Sequence, residues 1–437
     1  MTAASRWTVG AGAALFGGCV IAGWWLSHHG YRLHLGSAYP LNGHYTLHLA
    51  VWLVPALVLA AALVHSAGRL ADTLPWRRLL VAAYLGAVAW AVALALVGGP
   101  GSIAAPLTSP HEYLFEVARI DAMGVRTYLR TFTWYIVSTG HGPVWTTHVA
   151  GHPPLATLVF VLLARAGLAG PGWAAALCIG AGASAAPSVL ATVRLAGGEP
   201  LARRAAPFVA AAPAALWIAT SADALYTGVS AAGLCALAYA GAARRAAATA
   251  ALGAAGGLAL GACLFLSYGL TLLATLALAV VAVTASRLVD AARVVAAAAL
   301  GVAAVVAAFA LAGFWWLDGL HLTVRRVVEG GGWLDRPAAY FVFANVAALS
   351  AAVGPAVLAA LPVAVRERRW WLAIPAAAAL SVVVAIATGL SKGEVERIYL
   401  PFAVWLLPLA GLVGNRWWLG AQVGWALLVA ATTRLDW

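Results

Sequence analysis

The sequence predicts an all-α, polytopic integral membrane protein. Hydrophobic residues make up 64% of the 437 and charged residues only 9%, against roughly 25% charged in soluble domains. Apolar runs of about 20 residues, the length that crosses a bilayer as a helix, recur from one end of the chain to the other. Arginines sit in the short turns between these runs, as the positive-inside rule describes. That rule accounts for the net charge of +12 without nucleic acid as a partner.

The first run, 8–26, is long enough to span and has no small-residue cleavage site after it, so it reads as a retained helix and not a removed leader. Further candidate spans follow at 45–67, 79–98, 172–193, 205–221, 222–242, 246–266, 269–286, 292–312, 341–364, 370–389, 401–414 and 417–433. This gives about thirteen spans. The piece 154–167 is short for a span and reads as re-entrant or interfacial. With the N-terminus in the cytoplasm, fifteen arginines and four acids fall on the inner side, against eleven basic and ten acidic residues outside. The outer acids gather in loop 99–153, at Asp223, and in loops 313–340 and 390–400. We divide the chain into an N-terminal hairpin (1–78), a core (79–312) and a C-terminal region (313–437). Neither an internal repeat nor a soluble domain is evident. The four cysteines each lie in an apolar run and form no CxxC pair, so neither a zinc site nor a redox motif is supported.

The interval 110–155 is the longest without a clean spanning run. It holds three of the fourteen acids, Glu112, Glu116 and Asp121, and four of the eleven histidines, His111, His141, His148 and His152. The i, i+4 spacing of Glu112 and Glu116 puts them on one helix face, with Asp121 turned away. A carboxylate at a partly apolar boundary can have a raised pKa and act as a general base. The plainer alternative is pairing with Arg119, Arg126 or Arg130. In THVAGHPPL (147–155) two prolines end one helix and open another, and His148 and His152 flank the turn. With His141 they offer imidazoles to a divalent metal, but their spacing is not diagnostic and no metal is assigned. Hydrogen bonding to phosphate or backbone explains them equally well.

Asp223 lies between two strongly apolar helices, where an acid is costly and is a functional candidate. It, or Ser221, can equally cap the following helix. In 313–340, Arg325 and Arg326 suit a phosphate, and glycines 330–332 suit a hinge. GLSKGEVERIYLPF (389–402) holds the only lysine, Lys392, with Glu394, Glu396 and Arg397. Lys392 and Arg397 are phosphate partners near the membrane surface, or members of an interfacial ion-pair cluster.

In this order the pieces resemble the GT-C class of membrane glycosyltransferases, on the branch of the protein O-mannosyltransferases and lipid A aminoarabinose transferases. HEYLFEVARI (111–120) is similar to the acidic motif of the class's first outer loop, GHPPL (151–155) to its proline turn, DAL (223–225) to its acid at a helix mouth, and RIYLP (397–401) to its late segment entering a span. Where the class often has an Asp-Glu pair, this chain has His111 and Glu112. The resemblance implies a polytopic fold with outer-face juxtamembrane helices, a polyprenyl-phosphate sugar donor, and a glycan, lipid or protein acceptor. It implies inverting transfer at the outer face of the cytoplasmic membrane. The base role passes to Glu112, with Glu116 and Asp121 as alternatives. Lys392, Arg397 and His152, with Arg325 and Arg326, would meet the donor phosphate. Asp223, His148, Glu394, Glu396 and Tyr399 would orient the acceptor or the loops around it. A transporter would place charges at mid-membrane, often within inverted repeats. A non-catalytic assembly protein would have no need to gather acids and histidines in a few outer loops.

Overall fold

A computed structural model describes residues 2–138, 142–219, 221–329 and 336–436. The protein is all-α apart from one short ribbon. Helices α1 (Ala3–His28), α2 (Leu53–Thr73) and α3 (Trp76–Leu96) open the chain. Short helices α4 (Leu114–Met123), α5 (Val125–Thr131), α6 (Thr147–Gly151) and α7 (Leu155–Arg165) follow. Next come α8 (Pro171–Ala183), α9 (Ala185–Gly197), α10 (Glu199–Ala210), α11 (Ala215–Ile218), α12 (Ala222–Ala242), α13 (Ala246–Leu266), α14 (Leu273–Thr284) and α15 (Leu288–Leu311). Then α16 (Trp316–Glu329) leads to α17 (Ala338–Val353), α18 (Pro355–Glu367), α19 (Ala373–Thr388), α20 (Val395–Ile398), α21 (Leu400–Ala403) and α22 (Arg416–Thr432). The ribbon pairs β1 (Gly43–Tyr45) antiparallel with β2 (Thr433–Leu435), so that His44 faces Arg434.

Among the described residues eight helices are long and apolar enough to cross a membrane, or nine if the bent pair α17–α18 counts as one. The expected count of about thirteen is not reproduced, because proline and glycine interrupt apolar runs that look continuous in sequence. The run 205–221 breaks into α10 and α11 around Pro213. The run 341–364 bends by 99° at Gly354, whose φ is +82°, where Pro355 opens the next helix. A Cβ on Gly354 would meet the Gln422 side chain at 2.6 Å. That buried amide holds the bend: its Nε2 donates to the Val353 carbonyl at 2.7 Å and its Oε1 accepts from the Ala356 N–H at 3.1 Å. The pieces around 269–286 and 401–414 are short apolar helices, and α22 has 17 residues. The piece 154–167 is also short, as expected, with 11 residues in α7.

Helix α12 is the buried centre and packs against α8, α9, α13, α14 and α21. Ala- and Gly-rich faces let backbones approach without polar contacts. Between α13 and α15 the approach is close enough that a Cβ at Gly257 would lie 2.1 Å from the Ala298 carbonyl. By contrast α1, α2 and α15 expose most of their apolar surface, with Leu288 and Leu311 nearly bare. In water that exposure would be costly, and in lipid it is the expected outer wall. The first helices reach across the fold: α1 lies on α17 and α18, and α2 on α3, α10 and α22.

Candidate active site

The turn before α4 sets up the site. Its backbone is held by the Glu112 N–H donating to the Ser109 carbonyl at 2.9 Å and the Glu116 N–H donating to the Tyr113 carbonyl at 3.1 Å. Glu112 and Glu116 thus address one neighbouring segment, as their i, i+4 spacing predicts. Glu116 Oε1 accepts from the Thr146 N–H at 3.1 Å, and its Oε2 lies 3.4 Å from Arg119. Glu112 Oε1 lies 2.8 Å from His148 Nδ1. The two acids grip the start of α6, and the His148 N–H donates to the His111 carbonyl at 3.0 Å.

His148 is the link to the rest of the chain. Its Nε2 lies 3.1 Å from a guanidinium nitrogen of Arg397. A guanidinium offers only donors, so Nε2 accepts and the ring proton sits on Nδ1, facing the Glu112 carboxylate. Arg397 also donates to Asp223 Oδ2 at 2.5 Å and to Glu394 Oε2 at 2.7 Å. Ser221 caps α12 through the Asp223 N–H at 3.1 Å, and its hydroxyl also donates to Asp223 Oδ2 at 3.1 Å. Of the two capping candidates it is Ser221 that caps α12, which leaves the Asp223 carboxylate to Arg397 and the Ser221 hydroxyl. Glu112, His148, Asp223 and Arg397 are all buried.

Burial pushes the Glu112 carboxyl up, but His148 and Arg397 outweigh it and hold the group below its ordinary value. The raised pKa expected of an acid at an apolar boundary is therefore not found at Glu112, because the boundary supplies cationic and imidazole partners. It is found at Glu396, which burial pushes up to about 7 and whose main polar contact is the Asn42 N–H at 2.8 Å. Glu112 Oε2 is buried without a hydrogen-bond partner among the described residues. It is an ionised oxygen with lone pairs to spare, the state a proton acceptor needs. Burial pushes the His152 imidazole down to about 4. Its Nδ1 lies 3.0 Å from the His148 carbonyl.

Other candidate residues are engaged outside this network. Asp121 pairs with Arg165 at 2.6 Å in an exposed position. Arg325 pairs with Glu329 at 2.8 Å, and Arg326 donates to the Ile136 carbonyl at 2.6 Å. Lys392 Nζ donates to the Arg336 carbonyl at 2.9 Å, and Arg336 returns a bond to the Lys392 carbonyl. Tyr399 is buried one turn beyond Glu396. His141 and glycines 330–332 lie outside the described residues. Two tyrosines unremarked in the sequence join the site: the Tyr226 hydroxyl donates to that of Tyr113 at 2.9 Å. Tyr226 lies one helical turn after Asp223, a spacing that could have flagged it. No group of three or more metal-binding side chains is assembled among the described residues.

Two cavities flank the turn that carries Glu112. One, of about 290 Å³, is apolar and lined by Leu114, Phe115, Phe160 and Leu163. The other, of about 320 Å³, is lined in part by Ser102, Ser109, Ala219 and Arg434.

No family model and no curated protein matches this chain. Among solved structures the chain is similar to the crystal structure of ArnT from Cupriavidus metallidurans in the apo state, with 17% identity and a TM-score of 0.40 over 65% of this chain and 53% of that one. The chain thus spans about half the length of that protein.

Proposed function

We propose that this multi-pass membrane protein is an inverting glycosyltransferase of the GT-C kind. It moves a sugar from a polyprenyl phosphate to an acceptor hydroxyl at the outer face of the cytoplasmic membrane. The observation that carries this reading is the convergence of Glu112, His148, Asp223 and Arg397, with contacts between residues as much as 249 apart in sequence, into one buried network. Three of the four motifs that resemble the class supply a member each: HEYLFEVARI gives Glu112, DAL gives Asp223 and RIYLP gives Arg397. GHPPL begins three residues after His148, at the last residue of α6. Threaded as the thirteen runs read from the sequence, the arginines favour a cytoplasmic N-terminus and an outward-facing site. We read 1–78 as a hairpin added ahead of the core.

On this reading the reaction is a single inverting displacement. Glu112 is ionised and takes the proton of the acceptor hydroxyl as that oxygen bonds to the anomeric carbon. The carbon–oxygen bond to the lipid phosphate breaks on the opposite face, so the configuration inverts. Arg397 is the guanidinium of the network and offsets charge on the departing phosphate. His148 fixes the orientation of both, and Asp223 holds Arg397 in place. The apolar cavity beside α4 suits the first units of the prenyl chain. Glu112→Gln should keep the fold and abolish transfer in vesicles loaded with lipid-linked sugar. Full activity in that variant would remove Glu112 as the base.

A further inference from the structure

The cavity on the Ser109 side has features the donor does not need. Its volume, about 320 Å³, is within the range of small-molecule sites. Its walls come from both ends of the chain: His48 from the segment after β1, Ser102 and Ser109 from the loop before α4, Ala219 from the end of α11, and Arg434 and Asp436 from the C-terminal ribbon. The ribbon is held in place by backbone. The Thr46 N–H donates to the Thr432 carbonyl at 3.0 Å, and the His48 N–H to the Ala431 carbonyl at 2.8 Å.

Two walls tie the cavity to the network. The Ser109 carbonyl accepts the Glu112 N–H, and Ala219 lies two residues before Ser221, the partner of Asp223. The far wall carries charge. Asp436 lies 3.7 Å from His44, whereas Arg434 forms no ion pair among the described residues. Arg434 is exposed, and His48, Ser102 and Ser109 are half-buried. An available guanidinium, an imidazole and two hydroxyls around an apolar floor make a site for a hydroxyl-bearing phosphate ester. The guanidinium fork suits the phosphate, and the hydroxyls suit the polyol.

We propose that this cavity is the acceptor site, binding a polyol phosphate with its anion on Arg434 and a free hydroxyl directed toward the turn of Glu112. This rests on the glycosyltransferase reading for its purpose, though not for the binding itself. The same chemistry occurs in a lipid headgroup and in a free polyol phosphate.

The full chain in phosphatidylcholine nanodiscs would be titrated with glycerol 3-phosphate, and separately prepared in discs containing phosphatidylglycerol, with binding read directly. Saturable binding of at least one probe is expected. Arg434→Gln should weaken it about tenfold or more, the usual effect of losing a charge-assisted hydrogen bond, and Arg434→Lys should recover most of it. Binding confined to the phosphatidylglycerol discs identifies a lipid headgroup, and binding of glycerol 3-phosphate identifies a soluble acceptor. Equal binding by the wild type and Arg434→Gln, or saturable binding of neither probe, overturns the proposal. If Glu112→Gln still transferred sugar while Arg434→Gln lost binding, the base reading would fail and the binding site would stand.

Discussion

Glu396 and Arg397 are neighbours on the single turn of α20, are equally buried, and end in opposite surroundings. Arg397 turns to His148, Asp223 and Glu394 and completes a charged network. Glu396 turns to the loop before α2, where the Asn42 N–H meets one oxygen and the other has no hydrogen-bond partner among the described residues. Burial works against the charged form of both side chains. Three acids near Arg397 reverse that effect and keep it charged, whereas around Glu396 nothing outweighs it. Glu112 and Glu396 make the same contrast between two carboxyls: burial raises both, and only the one with His148 and Arg397 beside it ends below its ordinary value. Partners, and not depth, decide which of the two buried acids is held in its ionised form.

The largest effect expected is from breaking the charged side of this contrast. Arg397→Gln leaves Asp223 and Glu394 without their cation and should cost about 3–5 kcal/mol, read as a drop in unfolding midpoint in detergent, with loss of transfer. Arg397→Lys keeps the charge but not the fork, and should lose less. A shift under about 1 kcal/mol in the Gln variant would mean the network is not a stabilising unit.

The neutral side is tested by pH. The folded pKa of Glu396 is about 7, above its unfolded value, so the fold binds its proton more tightly. The stability this gives is present below the unfolded pKa and is lost as pH rises through 7, on the order of 3 kcal/mol in total. Glu396→Gln should flatten that decline, and an unchanged pH profile would refute the assignment. Glu112 has the opposite sign: its folded value is depressed, so its contribution holds at neutral pH and fades as pH falls through that value. Acid titration of Glu112→Gln should therefore be flatter than the wild type at the low end.

The smallest effect belongs to Asp121, paired with Arg165 where both side chains are about half exposed. Asp121→Asn should change stability by less than about 1 kcal/mol and leave transfer intact. A variant inactive despite normal folding would return Asp121 to the list of candidate bases.

The membrane class was legible because hydrophobic runs and arginine-bearing turns are local signals. The number of spans was not, because Pro213, Gly354 and Pro355 lie inside runs whose average hydropathy is unaffected by the breaks they cause. The site was partly legible for a related reason. In a chain with 9% charged residues, each charged side chain in a loop stands out, and Glu112, Asp223 and Arg397 are candidates on that ground. Their connection was not readable, since it passes through His148 and contacts up to 249 residues apart. Nor does i, i+4 spacing distinguish a base from a clamp. Glu112, in the turn before α4, and Glu116, within it, both address the start of α6, yet one meets an imidazole and the other a backbone N–H.

The bond from Asn42 to Glu396 also bears on where this chain can be cut. Asn42 lies in the segment between α1 and α2, and the neighbouring Leu33, Leu35 and Tyr39 form a small core with Tyr340 and Phe341. A truncated protein starting at residue 79 would expose that core and strip Glu396 of its backbone donor, one residue away from Arg397. Expression trials, fusions and split-protein designs should keep residues 1–78 attached, because the last loop leans on the first.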